Sequence, residues 1–360
     1  MNYYIHTPFC NGKCGYCVFY SEGKYSNSMV EAWLAKICRE LKELPPAPCE
    51  TVYIGGGTPS ILTVPQLERL FGAIDHLNPT ASTEISMEAN PETLTAEKIS
   101  FLREHITRLS IGVQSFQPEL RRTLGRKCPQ KTIENAIELI TAARFPHWNI
   151  DLIYAIPGQT PQMWQEELRR GTALSCDHIS CYNLTPEEGA ALASELVPDE
   201  EDSTVMWKMT QQILGEAGLN RYEISNYARP GGQCRHNCNI WQGGLLTGLG
   251  PAAAGFDGRR RIIQPESLSS WLNGDAPEID ELNTPERLNE IFAVNLRTAA
   301  GWTPESWAKV PNADPWEARQ HLIRQTMRET SEKFFDISPE RITLSPDGLL
   351  FWNSIAESLI

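Results

Sequence analysis

Cys10, Cys14 and Cys17 stand close together near the start of the chain, after a short apolar run that ends at Pro8. Their number limits what they can do. A structural zinc site takes four protein ligands and disulfides consume thiols in pairs, whereas an iron-sulfur cubane held by three thiolates keeps one iron free for another ligand. The spacing lets one tight loop reach three corners of a single cluster, and Gly12 and Gly15 ease its bends. A zinc site completed from elsewhere in the chain is the competing reading.

Other residues with chemical capacity follow at regular intervals. Residues 55–58, Gly-Gly-Gly-Thr, form a loop whose backbone can approach a ligand closely, and the same run can serve as a plain tight turn. Glu88 ends an apolar stretch, where its carboxylate either faces a binding site or caps the next helix. Gln114 and Arg126 come next, the latter able to grip a carboxylate through two nitrogens. Asp151 interrupts an apolar strand and needs a hydrogen-bonding partner, for which a ribose hydroxyl would serve. Farther on, His236 lies between Cys234 and Cys238, as a candidate axial ligand for heme iron or as a structural histidine. Cys38, Cys49, Cys176 and Cys181 are scattered as small core residues would be, and most of the ten tryptophans read as packing.

The elements that carry these residues alternate. Six strand-then-helix units can be counted, with strands near residues 3–6, 51–54, 83–88, 107–113, 148–153 and 177–182. The first helix is expected to start at Ser28, with a capping box to Glu31. Six units are too few for a closed eight-stranded barrel and predict an α/β fold, an open three-quarter (β/α)6 barrel. In such sheets chemistry gathers at the carboxyl ends of the strands, where every unusual loop above falls. Residues 1–185 are expected to form the barrel core and residues 186–264 a capping segment. That segment holds an exposed strand over residues 222–228 and a glycine-rich run over 243–255. Residues 265–360 are expected to form a small C-terminal winged-helix-like domain, with helices near 284–296 and 314–327 and a hairpin over 342–351 turning at Ser345-Pro346-Asp347-Gly348.

Composition narrows the partners. The 360 residues carry 32 Lys and Arg against 45 Asp and Glu, a net charge of -13 that disfavours nucleic acid. No signal peptide or membrane-spanning run is recognisable, and ten cysteines without one read as reduced thiols in the cytoplasm.

With an aromatic, Tyr16, before the last cysteine, the C-x3-C-x2-C spacing resembles the signature of the radical S-adenosylmethionine (SAM) superfamily. That resemblance implies a 4Fe-4S cluster on Cys10, Cys14 and Cys17, whose fourth iron is chelated by the amino and carboxylate groups of SAM. It also implies one-electron cleavage of SAM to a 5'-deoxyadenosyl radical, and an electron donor such as flavodoxin or ferredoxin. Residues 4–10, 55–60, 110–116, 124–126, 151–154 and 222–228 together look like the oxygen-independent coproporphyrinogen III oxidases and their relatives, over nearly the whole chain. By matched position, the SAM contacts fall on Tyr4, Tyr16, Gly56, Gly57, Thr58, Glu88, Gln114, Arg126 and Asp151. Phe19 stands where the true oxidases carry a fourth cysteine. The run from His236 to Trp241 resembles instead the H-N-x-x-Y-W motif of the heme chaperone branch, with Ile240 in place of tyrosine. Val18 and Cys128 also depart from that branch, where aspartate and histidine are common. The resemblance implies binding of heme, with His236 as its candidate contact, and transfer of heme to an acceptor protein. A radical enzyme acting on a tetrapyrrole or other organic substrate, as an oxidase or a methyltransferase, is the alternative.

Overall fold

The computed structural model describes residues 1–185, 190–192 and 200–360, so the expected boundary at residue 186 lies outside the described residues. Six strands pair side by side in chain order, all parallel: β1 (Asn2–Thr7), β2 (Thr51–Gly56), β3 (Glu84–Ala89), β4 (Arg108–Gln114), β5 (His147–Tyr154) and β6 (His178–Asn183). Between them run α1 (Asn27–Glu43), α2 (Val64–Ile74), α3 (Ala96–His105), α4 (Pro118–Thr123), α5 (Gln130–Ala143) and α6 (Pro161–Thr172), and after β6 comes α7 (Glu200–Glu216). Strand order that follows chain order is the topology of a sheet that curls as it grows, and the expected open barrel stands. Its helices dock by the apolar stripes visible in the sequence, such as Val30, Trp33, Leu34, Ile37 and Leu41 of α1.

The start of α1 needs correction. Its N-cap is Ser26, whose hydroxyl accepts the Met29 N–H at 3.3 Å. The expected box between Ser28 and Glu31 does not form, because the chain turns helical two residues earlier and Glu31 is engaged by Gln66 and Arg69 of α2.

The sheet continues past both sides of the parallel core. Beyond β6 lie β8 (Asn226–Ala228) and then β7 (Asn220–Arg221), both antiparallel to their neighbours. Residues 222–228 are therefore neither one strand nor exposed: Glu223 folds back to accept from the Ser225 N–H and the Asn226 amide and pairs with Arg297, and Asn226–Ala228 is buried. On the other side β9 (Leu246–Leu249) lies parallel to β1, followed by β10 (Ala254–Phe256), β11 (Arg260–Ile263) and β12 (Glu278–Glu281). The glycine-rich run is thus partly strand. Its glycines permit close backbone approach: a Cβ on Gly248 would come within 2.3 Å of the Ala254 carbonyl oxygen. Between β8 and β9, α8 (Arg235–Trp241) packs against β1 and β2.

The C-terminal part comprises α9 (Leu268–Asn273), α10 (Thr284–Asn295), α11 (Pro304–Trp307), α12 (Trp316–Glu329), a two-stranded sheet of β13 (Phe335–Ser338) and β14 (Arg341–Leu344), then α13 (Pro346–Leu350) and α14 (Trp352–Leu359). The hairpin lies earlier than expected. Ser345-Pro346 opens α13, with the Ser345 hydroxyl accepting the Gly348 N–H at 3.1 Å, because Ser-Pro-Asp-Gly fits a capped helix start as well as a turn. Phe292, Trp302 and Trp307 form its aromatic centre, all essentially inaccessible, with the two indoles crossing at 5.0 Å.

Candidate functional site

The loops at the carboxyl ends of β1 to β6 enclose a pocket of about 800 Å³, within the range of small-molecule sites. The three cysteines line its mouth on one loop. That loop is anchored at several points: the Cys10 N–H donates to the Glu22 carbonyl at 3.2 Å, the Gly15 N–H to the Leu124 carbonyl at 3.1 Å, and the Leu192 N–H to the Gly15 carbonyl at 2.8 Å. A Cβ on Gly15 would meet the Leu192 side chain at 2.7 Å, so a larger residue there would have to displace it. All ten cysteines are free thiols. Burial pushes the Cys14 and Cys17 thiols up from their ordinary range, and the Arg126 guanidinium opposes this at Cys14. Among the described residues no group of three or more His, Cys, Asp or Glu is arranged around a single metal ion. Three half-buried thiols on one anchored loop, facing an open pocket, fit the three-thiolate donor set of a cubane.

The pocket wall carries polar groups with unused capacity. Arg126 is half-buried beside Tyr16, and among the described residues its guanidinium makes one hydrogen bond, donating to the Tyr16 hydroxyl at 3.4 Å. Gln114 ends β4 in the left-handed region, with φ of 67°, next to a register shift in the β4–β5 pairing. A non-glycine residue held there is strained, as functional positions often are. Glu88 accepts from the Tyr53 hydroxyl at 2.7 Å and from the Gly56 N–H at 3.2 Å, and burial, with Asp151 nearby, raises its carboxyl to about 7. Asp151 accepts from the Asn149 amide at 2.8 Å and the Ser110 hydroxyl at 3.2 Å; burial raises its carboxyl too. Gly56, Gly57 and Thr58 complete the cradle, where Gly56 has φ of 106° and the Thr58 hydroxyl meets the Cys10 thiol at 3.2 Å.

Tyr16, Gly56, Gly57, Thr58, Glu88, Gln114, Arg126 and Asp151 therefore gather with the cysteines around one pocket. One expected SAM contact, Tyr4, does not line it, and neither does the candidate heme contact, His236. Tyr4 lies deeper in the barrel, its hydroxyl 3.0 Å from His6 Nδ1 and its ring stacked on Tyr53. His236 sits at the opposite end of β2, beside Thr51, about 16 Å along the strand from Gly56. It is 3% exposed, and burial lowers its imidazole to about 3, so it is neutral. Cys234 is buried with it, its thiol directed at Glu84. A heme iron could reach His236 only if α8 left the barrel.

Sequence reasoning missed the supports. Ser110, Asn149 and Ser180 occupy neighbouring inward positions on β4, β5 and β6 and hold Asp151. His178 and Tyr222 continue this polar interior at 2.8 Å. The available signal was the recurrence of small polar residues at alternate positions of otherwise apolar strands.

Comparison with known proteins agrees with this geometry. Residues 4–170 match the Radical SAM superfamily. The chain is 37% identical over 378 residues to the heme chaperone HemW of Mycobacterium tuberculosis, covering 99% of this chain and 94% of that relative. It is 32% identical over 395 residues to the HemW of Synechocystis, covering 99% and 95%. Among solved structures, the radical SAM enzyme coproporphyrinogen III oxidase (HemN) of Escherichia coli superposes with a TM-score of 0.82 at 20% identity, over 99% of this chain and 89% of that one, which shows a shared fold.

Proposed function

The chain belongs to the radical SAM superfamily and, within it, to the family of the heme chaperone HemW, and from that premise we propose that it binds a 4Fe-4S cluster, SAM and heme and passes heme to an acceptor protein. The observation that carries the cofactor half is the gathering around one pocket of three loop thiols and a half-buried arginine whose guanidinium has, among the described residues, the Tyr16 hydroxyl as its hydrogen-bond partner. The heme half rests on full-length similarity to heme chaperones.

Cys10, Cys14 and Cys17 would hold three irons. When bound, the cluster supplies a one-electron donor and one iron open to further ligation. Arg126, kept charged and steadied by Tyr16, faces the pocket as a partner for the SAM carboxylate. Glu88 offers an acceptor to the SAM amino group, and the glycine loop lets backbone reach it. Asp151, already oriented by Asn149 and Ser110, accepts from a ribose hydroxyl. An electron donor such as flavodoxin or ferredoxin would meet the cysteine loop, where Phe19 is 64% exposed. The net charge of -13 makes nucleic acid a poor partner. No helix among the described residues is long and apolar enough to cross a membrane, and we place the protein in the cytoplasm on its thiol content.

The test is heme titration of the anaerobically reconstituted protein together with an assay for 5'-deoxyadenosine. Stoichiometric heme binding without substrate-dependent 5'-deoxyadenosine supports the chaperone reading. Absence of heme binding, with 5'-deoxyadenosine formed on a tetrapyrrole or other organic substrate, replaces it with the radical-enzyme reading. From its sealed position, His236→Ala is expected to leave heme affinity unchanged.

A further inference from the structure

The interior of the barrel contains an unbroken column of side chains that joins the buried end of α8 to the floor of the pocket. At its base, His236 is fixed in one tautomer. The Thr51 hydroxyl donates to Asn2 Oδ1 at 2.8 Å, so its contact with His236 Nδ1 at 2.7 Å is one in which the imidazole N–H donates. The Glu84 carboxylate accepts the backbone N–H of His236 at 2.9 Å, locking the start of α8 beneath the sheet. The imidazole stacks on the Tyr53 ring, with centroids 5.1 Å apart and planes inclined by 29°, and Tyr4 stacks on the same ring at 6.2 Å. Tyr53 in turn donates to Glu88. Gly55 leaves room for this junction, since a Cβ there would meet the Tyr53 ring at 2.9 Å and the Glu88 carboxyl at 3.1 Å.

We propose that Tyr53 is the positioning residue for Glu88 and that His236, the histidine of the segment similar to the heme chaperone motif, serves the SAM pocket by holding Tyr53 in place. The proposal rests on the reading that SAM occupies the pocket. Tyr53 fills one lone pair of Glu88 Oε1 and leaves the rest of the carboxylate facing the cradle, and a donated hydrogen bond favours its ionised form. An ionised carboxylate accepts from an amino group, whereas a protonated one has lost acceptor capacity. Affinity for SAM should therefore fall as pH drops through the range near 7 where Glu88 gains its proton. The groups facing that carboxyl are Tyr4 on β1, Tyr53 on β2, Asp151 on β5 and Tyr182 on β6, with Arg126 and Glu92 on the pocket wall. Of these, Tyr53 is the side chain hydrogen-bonded to it.

The experiment measures the SAM dissociation constant against pH for anaerobically reconstituted wild type, Tyr53→Phe, His236→Ala and His236→Phe, with iron content and melting temperature as controls. Titration of the SAM amino group is common to all four and cancels in the comparison. Tyr53→Phe keeps the stacked ring and loses only the hydroxyl, so the midpoint should move up by about one pH unit and binding at pH 7 should weaken several-fold, recovering at high pH. His236→Ala should produce the same upward movement, and His236→Phe, which keeps a ring under Tyr53, should retain the wild-type profile. An unchanged midpoint in Tyr53→Phe overturns the positioning role, and that variant decides the matter even if His236→Ala does not fold. Equal loss in His236→Phe and His236→Ala overturns the part assigned to His236. Failure of the wild type itself to bind SAM would refute the underlying functional reading instead.

Discussion

Replacing Glu88 with glutamine should make the protein more stable while impairing the pocket. The carboxyl is held near 7 against an ordinary value of 4.5, chiefly because burial disfavours its charge. A carboxyl raised on folding binds its proton more tightly in the native state. It therefore costs nothing below the unfolded value, and its cost grows as pH rises from 4.5 to 7 and is constant above. At about 1.4 kcal/mol per pH unit, the rise from 4.5 to about 7 amounts to at most about 3.5 kcal/mol, reached only above neutrality. Glutamine avoids this cost and can keep both contacts: its carbonyl oxygen faces the Gly56 N–H and its amide faces the Tyr53 hydroxyl, which rotates to accept. For a chain of this length, about 3.5 kcal/mol corresponds to a melting temperature about 5 °C higher. Thermal unfolding of the cluster-free protein, followed by circular dichroism at pH 5 and pH 8, checks this. Glu88→Gln should gain most of that increment at pH 8 and little at pH 5, whereas an equal gain at both, or a loss at pH 8, would refute the reasoning. The same substitution should weaken SAM binding at pH 8, since an acceptor oxygen has become a donor.

Arg126→Ala should raise the SAM dissociation constant by about 10- to 100-fold, the worth of a charge-assisted hydrogen bond, and Arg126→Lys should recover part of it in equilibrium binding. Trp302→Ala should cost about 3–5 kcal/mol by emptying the aromatic centre of the C-terminal part; urea unfolding would show it, while SAM affinity in the folded protein stays at the wild-type value.

What could be read in advance follows from how local each signal is. The β/α alternation was legible because each strand shows as a short run with apolar residues at alternate positions and each helix as an apolar stripe at helical spacing, both readable within a few residues of sequence. The cysteine loop was legible for the same reason. The seat of His236 was not, because it depends on α8 entering the base of the barrel, a tertiary event that spacing does not encode. The polar interior around Asp151 draws one residue from each of several strands, and only their mutual register makes it a network. Ser345-Pro346-Asp347-Gly348 misled because the residues that favour a turn also favour a helix start, and in the fold α13 packs against the single helical turn Glu332–Phe334 that precedes β13. The strained backbone of Gln114 left no trace in residue type at all.

The central claim is that Cys10, Cys14 and Cys17 hold a cubane with one iron left for SAM, across the pocket from Arg126 and Glu88. Mössbauer spectroscopy of protein reconstituted anaerobically with isotopically enriched iron and sulfide, before and after adding SAM, tests it most directly. The account predicts a cluster in which a single iron subsite changes its parameters when SAM is added, and no cluster in Cys14→Ala. Bound zinc in place of iron, or a cluster whose spectrum is indifferent to SAM, would contradict it.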